Sequence, residues 1–344
     1  AGIYGSVIGF GLGVTVGDTN NDGWEDIYVS NDFFERDYLY INQKDGTFKE
    51  SLTDQINSIS GASMGADMAD INNDGYNDLF VTEMLPSDYK RLKTVTTFED
   101  WNRYQYNLKN GYYNQFTRNT LQLNNGNSTF SEIGRLSGVE ASDWSWGALL
   151  FDMDNDGLKD LFIANGIFKD LTNQDYLQYI SNEEVIKGIV KNQEIDYNKL
   201  IEIIPSNKVA NQAYKNMSNL EFDLYEDSGL IEPSFSNGSA YGDLDNDGDL
   251  DLVVNNVNMP FFLYKNTSEK LKKNHYLKLI LKGEGKNTNA IGAHIRIETN
   301  KDTFYLEQQP IRGFQSSMDL RPNIGLGAAE KATIKINWPN GKVS

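Results

Sequence analysis

The sequence is poor in the residues that carry thiol, zinc and membrane chemistry. Among its 344 residues there is no cysteine, and the two histidines, His275 and His294, do not show a zinc-type spacing. The absence of cysteine excludes a disulfide framework and thiol catalysis. No stretch approaches the roughly 18 apolar residues that a membrane-spanning helix needs. No phosphate-binding loop or nucleophile elbow is present either.

Basic residues are also in the minority. The chain has 31 lysines and arginines against 49 aspartates and glutamates, which gives a formal net charge of -18. Nucleic-acid binding requires a basic face, so this balance argues against a nucleic-acid partner. The acidic excess instead indicates a protein stabilised by metal rather than by disulfides, in a compartment where calcium is plentiful.

What the sequence has in abundance is a nine-residue acidic motif, D-x-[DN]-x-D-G-x-x-D, which occurs four times. Oxygen side chains at alternate positions, with a glycine that permits a sharp turn, suit Ca²⁺, and the seventh residue can offer its carbonyl. We predict about four bound ions. The predicted ligands are Asp18, Asn20, Asp22, Trp24 and Asp26; Asp70, Asn72, Asp74, Tyr76 and Asp78; Asp152, Asp154, Asp156, Leu158 and Asp160; and Asp243, Asp245, Asp247, Asp249 and Asp251.

The motif also begins the EF-hand loop, which requires a glutamate at its twelfth position and a helix on each side. The twelfth residues here are Val29, Val81, Ile163 and Val254, all within short runs typical of buried strands. The EF-hand is therefore excluded. A single copy would fit an ordinary solvated turn equally well, but four copies with one ligand pattern favour metal binding.

Charge count predicts a ranking among the four loops. Asn20 and Asn72 replace a carboxylate in the first two loops, whereas the last two carry aspartate at that position. Since more carboxylates raise calcium affinity in such loops, the last two are predicted to bind more tightly.

The motifs are spaced like the blades of a propeller. Their first aspartates stand at positions 18, 70, 152 and 243, so the shortest interval is about 50 residues, the length of one four-stranded blade. A small-residue apolar strand precedes each loop, as in Phe10-Gly11-Leu12-Gly13, and further strands follow it. These residues resemble FG-GAP or VCBS repeats, whose calcium-loaded β-propellers include the head of integrin α chains.

The resemblance covers about residues 1–268 and implies an all-β fold, a segment of a propeller with helical insertions. Such propellers usually have seven blades, and four are visible here. Either the missing blades lie upstream of Ala1, in a longer protein, or the ring is smaller or open. The sequence leaves both alternatives open.

The two long intervals locate insertions at about 85–118 and 168–211, both in the connection after the second strand. That connection leaves from the end opposite the calcium loop, so both inserts are predicted on the opposite face. The first is rich in aromatics, and the second is predicted to be helical, with a capping box from Ser181 to Glu184. The inserts either pad neighbouring blades or form a recognition surface. The predicted ligand-binding residues there are Trp101, Tyr104, Asn31, Asp32, Glu83, Asn165 and Asn256.

Residues 269–344 are predicted to form a separate, small β domain. Strand-like alternation recurs there, and segments such as Arg312-Gly313-Phe314-Gln315-Ser316 and Trp338-Pro339-Asn340-Gly341 resemble the ASPIC and UnbV domain. That domain follows FG-GAP repeats in cartilage acidic proteins and many bacterial surface proteins.

Two classes of function fit this sequence. The resemblance implies a non-catalytic extracellular or cell-surface protein, associated with the outer membrane if bacterial, that binds a glycan or protein and could assist SusC/SusD-type uptake proteins. The alternative is a calcium-dependent glycosidase or polysaccharide lyase, since catalytic side chains from different blades leave no linear signature. No catalytic residue is predicted, and product analysis on a glycan panel separates the two classes.

Overall fold

The computed structural model describes residues 1–4, 9–95, 100–183, 185, 187, 190–191, 194–195, 197–271 and 274–344. Four antiparallel sheets form its larger part, and each contains one acidic loop. We call these sheets blades 1 to 4. The predicted mainly β fold with propeller-type blades is confirmed, while the number of blades in a full ring stays a prediction.

The blades follow one another along the chain. Blade 1 contains β1 (Phe10–Gly17), β2 (Asp26–Asp32), β3 (Tyr38–Asn42) and β4 (Phe48–Glu50), and is followed by α1 (Leu52–Gln55) and β5 (Ile59–Ser60). Blade 2 contains β6 (Ala66–Ala69) and β7 (Asp78–Val81), then the first insert with α2 (Tyr89–Val95), α3 (Trp101–Lys109) and β8 (Gln115–Phe116), and ends with β9 (Thr120–Asn124) and β10 (Phe130–Glu132).

Blade 3 is interrupted in the same way. It contains β11 (Ser145–Phe151) and β12 (Asp160–Asn165), then the second insert with α4 (Gln174–Ile180), β13 (Val190–Lys191), β14 (Glu194–Ile195) and α5 (Tyr197–Glu202), and ends with β15 (Gln212–Asn216) and β16 (Phe222–Leu224). A 3₁₀ turn at Glu226–Ser228 leads to blade 4, with β17 (Ser236–Gly242), β18 (Asp251–Asn256) and β19 (Phe262–Tyr264), and then to α6 (Ser268–Leu271).

The first strands of the four blades lie side by side at the centre. Thr15 of β1 donates a hydrogen bond to the Ala66 carbonyl of β6 over 2.8 Å. The Leu150 amide of β11 donates to the Asp67 carboxylate over 2.7 Å, and Tyr241 of β17 stacks on β11. Apolar clusters fill the space between successive blades, so the strands that carry the acidic loops are held on rigid, buried supports.

The remaining strands form a C-terminal unit with its own apolar core. β21 (His294–Glu298) lies between β22 (Thr303–Glu307) and β26 (Thr333–Asn337), while β20 (His275–Lys278) pairs with β25 (Asn323–Gly327). A short hairpin of β23 (Ile311–Arg312) and β24 (Ser316–Ser317) projects from this unit.

The hairpin reaches between the first strands of the blades. Arg312 donates to both Asp67 carboxylate oxygens over 2.8 Å and to the Met68 and Leu150 carbonyls over 2.9 and 3.0 Å. Phe314 packs closely on Gly65 and Gly147. A Cβ added at Gly65 or Gly147 would lie 3.1 or 3.0 Å from the Cβ of Phe314, so a larger residue would not fit there. The ASPIC-like segment predicted from sequence therefore locks the C-terminal unit to the blades. Among the described residues, no helix is long and apolar enough to span a bilayer.

Candidate metal centres

The four acidic loops share one backbone path. Each joins a pair of residues that face each other at the ends of the first two strands, as Gly17 faces Asp26 and Phe151 faces Asp160. The fourth loop residue is asparagine in every copy and adopts a positive φ, and so does the glycine. Asparagine tolerates the left-handed region better than most residues. This recurring asparagine is a signal in the sequence that the ligand pattern alone does not use. The asparagines are Asn21, Asn73, Asn155 and Asn246.

The first aspartate turns its oxygens into the loop. Asp152 accepts hydrogen bonds from the amides of Asp156 and Gly157 over 3.1 and 2.8 Å, and Asp18 and Asp70 accept the equivalent pairs. Burial raises the pKa of Asp152 to about 7 and that of Asp70 to about 6. Carboxylates withdrawn from water in this way favour a bound cation.

Carboxylates converge most closely in the last two loops. Ligand atoms of Asp152, Asp154 and Asp156 lie within 4.8 Å of one another, and so do those of Asp243, Asp245 and Asp247. Among the described residues, Oδ1 of Asp243 and Oδ1 of Asp249 are buried without a hydrogen-bond donor. An unsatisfied buried carboxylate oxygen is costly, so these donor sets fit a hard cation such as Ca²⁺.

The ninth aspartate has a further role that the sequence analysis missed. Its two carboxylate oxygens accept one amide from the second loop residue and one from the asparagine at the end of the third strand. Asp78 accepts from Ile71 over 3.0 Å and from Asn124 over 2.8 Å. Asp26, Asp160 and Asp251 repeat this arrangement. The ninth position thus ties the loop to its sheet, and its role as a metal ligand stays a prediction.

The same strand-end asparagine also joins neighbouring blades. The amide groups of Asn124, Asn216 and Asn266 each donate to the carbonyl of the second loop residue in the preceding blade, over 2.7 to 2.8 Å. A loop therefore contributes to the fold at its own blade and at the next one.

The C-terminal unit covers the face on which the acidic loops lie. Glu307 accepts a hydrogen bond from the Asp18 amide over 3.1 Å. The Gly325 amide donates to Asp152 over 3.1 Å, and Lys278 forms an ion pair with Asp243. Nε2 of His294 lies 3.4 Å from Oδ2 of Asp18. This contact surface leaves the opposite face of the blades as the open one.

Both inserts lie on that opposite face, where one arginine joins them. Arg91 of α2 forms ion pairs with Asp143, before β11, and with Asp170, at the start of the second insert. All three side chains are largely buried. Ser181 is the C-cap of α4, and Glu184, the other residue of the predicted capping box, lies outside the described residues, so the capping box stays a prediction.

The aromatic residues of the first insert form a short stack. Trp101 is 70% exposed, and its ring centroid lies 5.6 Å from that of Tyr104. Tyr104 in turn stacks on Phe116 at 5.9 Å and donates to Asn114 over 2.7 Å. Trp101 is thus the solvent-facing end of a stack whose base is fixed by packing.

The polar residues of the predicted recognition surface are largely buried. Asn31, Asn165 and Asn256 have amide groups that donate to carbonyls of their own connections, so they hold loops in place instead of facing a ligand. Glu83 occupies the equivalent position in blade 2 and is 1% exposed. Burial, with a smaller contribution from nearby Asp32, raises the pKa of Glu83 to about 8. Asp32 itself remains partly exposed.

Comparison with known proteins finds two families in different parts of the chain. The FG-GAP-like repeat family matches residues 10–81 and 110–163, and the ASPIC and UnbV family matches residues 283–344. Cartilage acidic protein 1 of Xenopus tropicalis is 24% identical over 260 residues, and the match covers 65% of this chain and 38% of that protein. Integrin alpha-3 of Mus musculus and integrin alpha-6 of Gallus gallus are 32% and 36% identical over 83 residues, with matches that cover 21% of this chain and 8% of each integrin. The chain thus spans less than half of these relatives.

Proposed function

We propose, from the FG-GAP-like repeats and the ASPIC and UnbV domain that this chain carries, that it is a calcium-stabilised binding protein of the cell exterior or cell surface. The observation that carries the proposal is the contrast between its two faces. One face holds four equivalent oxygen-rich loops and is covered by the C-terminal unit, and the other presents two inserts with exposed aromatic side chains.

Calcium is proposed to be structural. The first, third and fifth residues of each loop, and the carbonyl of the seventh, would hold the ion. Because each loop is bonded to its own blade, to the next blade and to the C-terminal unit, an ion that neutralises the loop would stabilise the whole assembly. We propose residues 1–268 as the blade segment and 269–344 as the domain that closes its loop face.

Recognition is proposed at the insert face. Trp101 offers a rigid aromatic surface of the kind that anchors protein interfaces. A glycan ring or a protein partner would suit it, and a role beside SusC/SusD-type proteins at an outer membrane is a finer proposal that rests on the family resemblance. The insert face offers little support for the enzyme alternative from Glu83, whose pKa is raised to about 8, because this carboxyl group is too deeply buried to reach a polysaccharide.

The proposal is tested by replacing Trp101 and Tyr104 together with alanine and measuring binding to panels of glycans and cell-surface proteins. If they are central anchors, binding should weaken by about 2 kcal/mol or more, with a modest fall in melting temperature because Tyr104 also contacts Phe116 and Asn114. Trp24→Ala is the matched control, because this tryptophan is also exposed but lies in the first acidic loop. Normal binding with early melting of the double variant would show that the aromatics serve packing alone.

A further inference from the structure

The third position of the acidic loop divides the blades into two pairs. Asn20 and Asn72 stand there in blades 1 and 2, and Asp154 and Asp245 in blades 3 and 4. The last two loops therefore carry an additional negative charge, which is unfavourable before a cation binds.

A second position, within the third strand of blades 1 to 3 and directly after it in blade 4, changes together with the third loop position. It is the residue just before the strand-end asparagine: Ile41 and Leu123 in blades 1 and 2, Lys215 and Lys265 in blades 3 and 4. The four positions are structurally equivalent, because in every blade the residue before them faces the one that follows the ninth aspartate.

The lysines contact the additional carboxylates. Nζ of Lys215 lies 2.9 Å from Oδ2 of Asp154, and its ammonium group lies 4.4 Å from the centre of the Tyr225 ring. Lys265 forms an ion pair with Asp245 and lies 3.1 Å from Oδ2 of Asp247.

In the other two blades the equivalent residue is apolar. Ile41 and Leu123 are partly buried against the apolar clusters beside blades 1 and 2. A lysine thus stands at this position only in the blades whose loop carries the third carboxylate.

We propose that Lys215 and Lys265 are affinity-setting residues of the calcium sites in blades 3 and 4, an inference that rests on the proposed calcium binding. Each ammonium group neutralises the third-position carboxylate when the ion is absent and opposes the ion electrostatically when it is present. The charge count that ranks the last two loops as tighter omits these lysines. Counted at the first, third, fifth and ninth positions, the loops carry three, three, four and four carboxylates, and one lysine at each of the last two brings every count to a net charge of -3.

Blade 4 carries the strongest compensation. In addition to Lys265, Lys278 of the C-terminal unit forms an ion pair with Asp243, the first residue of that loop. In blade 1, Lys44 lies 3.3 Å from Asp22 and is about half exposed, as Lys265 is in blade 4, so solvent screens both of these lysines. Removing Lys215, which is less exposed, should therefore change calcium affinity more than removing Lys44 or Lys265.

The experiment is a Ca²⁺ titration of the chelator-treated full chain by calorimetry, with melting temperatures measured in EDTA. Lys215→Met keeps the aliphatic stem and removes the charge. It should tighten calcium binding at one site about tenfold and lower the melting temperature in EDTA. Lys335→Met, at an exposed strand position, is the matched control and should leave both unchanged.

A compensated variant keeps the test decisive if Lys215→Met folds poorly. Asp154→Asn with Lys215→Leu gives blade 3 the residues of blade 2, and should bind calcium about as tightly as the parent chain while keeping its melting temperature in EDTA. An isotherm of Lys215→Met that matches the Lys335→Met control, or a compensated variant that binds about tenfold more weakly, overturns the role of the lysines. Absence of calcium uptake by the parent chain would instead overturn the proposed calcium binding itself.

Discussion

The loop face and the insert face of this molecule are built in opposite ways. At the loop face the same residue types recur blade after blade, and the ninth aspartate forms the same pair of hydrogen bonds in all four, as Asp78 and Asp251 do with the amides of the asparagines that end or follow their third strands. At the insert face the two connections differ in length and composition, and Trp101 is exposed. The residues that repeat in every blade form contacts within the fold, whereas the exposed side chains that occur in a single insert remain accessible to a partner.

Calcium removal should have the largest effect on stability, and this effect should begin at the loop face. In the absence of the ion, the buried carboxylates of each loop repel one another, so the loop face should lose stability first. Chelation is expected to lower the melting temperature by about 10 °C or more, with equal ionic strength from NaCl as the control. A melting temperature that is the same with and without EDTA would mean that the loops act as turns only.

Arg312→Met tests the connection between the C-terminal unit and the blades. The substitution leaves the carboxylate of Asp67 buried without its charged partner, and breaking a buried pair in this way costs about 3–5 kcal/mol. Urea unfolding should show this loss. Arg321→Met, which breaks the more exposed pair with Asp319, should cost much less, because solvent screens that pair. Equal losses for both variants would contradict a stabilising role of the buried Arg312–Asp67 pair.

Glu83→Gln should have a smaller and pH-dependent effect. The pKa of Glu83 is raised to about 8 in the folded state from an ordinary value of 4.5, so between these values the folded protein holds the proton more tightly than the unfolded chain. Its unfolding free energy therefore falls as the pH rises through this window. The variant lacks that loss and should be more stable than the parent by about 1–3 kcal/mol at pH 8.

That advantage should be small at pH 5, because Glu83 is then protonated in the folded protein. Glu330→Gln, at an exposed position, is the control and should show no such trend. A Glu83→Gln variant whose advantage is the same at pH 5 and pH 8 would show that burial does not shift this carboxyl group.

Sequence reasoning reached the blades and loops because their signals are local. The motif, the strands beside it and the two inserts are recognised from spacing along the chain. The choice of Trp101 as a binding residue, taken from the aromatic composition of the first insert, stays a prediction. Contacts between distant residues were not accessible in this way. Arg312 lies 245 residues from Asp67 along the chain, and no periodic pattern in the sequence predicts that the two residues pair. The burial of Asn165 depends on how the connection after its strand folds back over it.

The asparagines at the ends of the second strands show a related limit of prediction from sequence. Asn31, Asn165 and Asn256 stand at the ends of second strands, where sequence predicts polar groups on a surface. The structure uses those amides to satisfy backbone carbonyls that folding would otherwise bury without a partner. A recurring asparagine at a strand end therefore indicates a hydrogen-bond role in the fold as readily as a binding role.

Hydrogen–deuterium exchange of the full chain with and without Ca²⁺ tests the difference between the two faces most directly. We expect calcium to slow exchange in the four loops and in the two C-terminal segments that contact them, at residues 18–26, 70–78, 152–160, 243–251, 304–307 and 323–327. Helix α3, at 101–109, should exchange at the same rate with and without calcium. Protection confined to the inserts, or no protection at any loop, would contradict the assignment of calcium to the loop face.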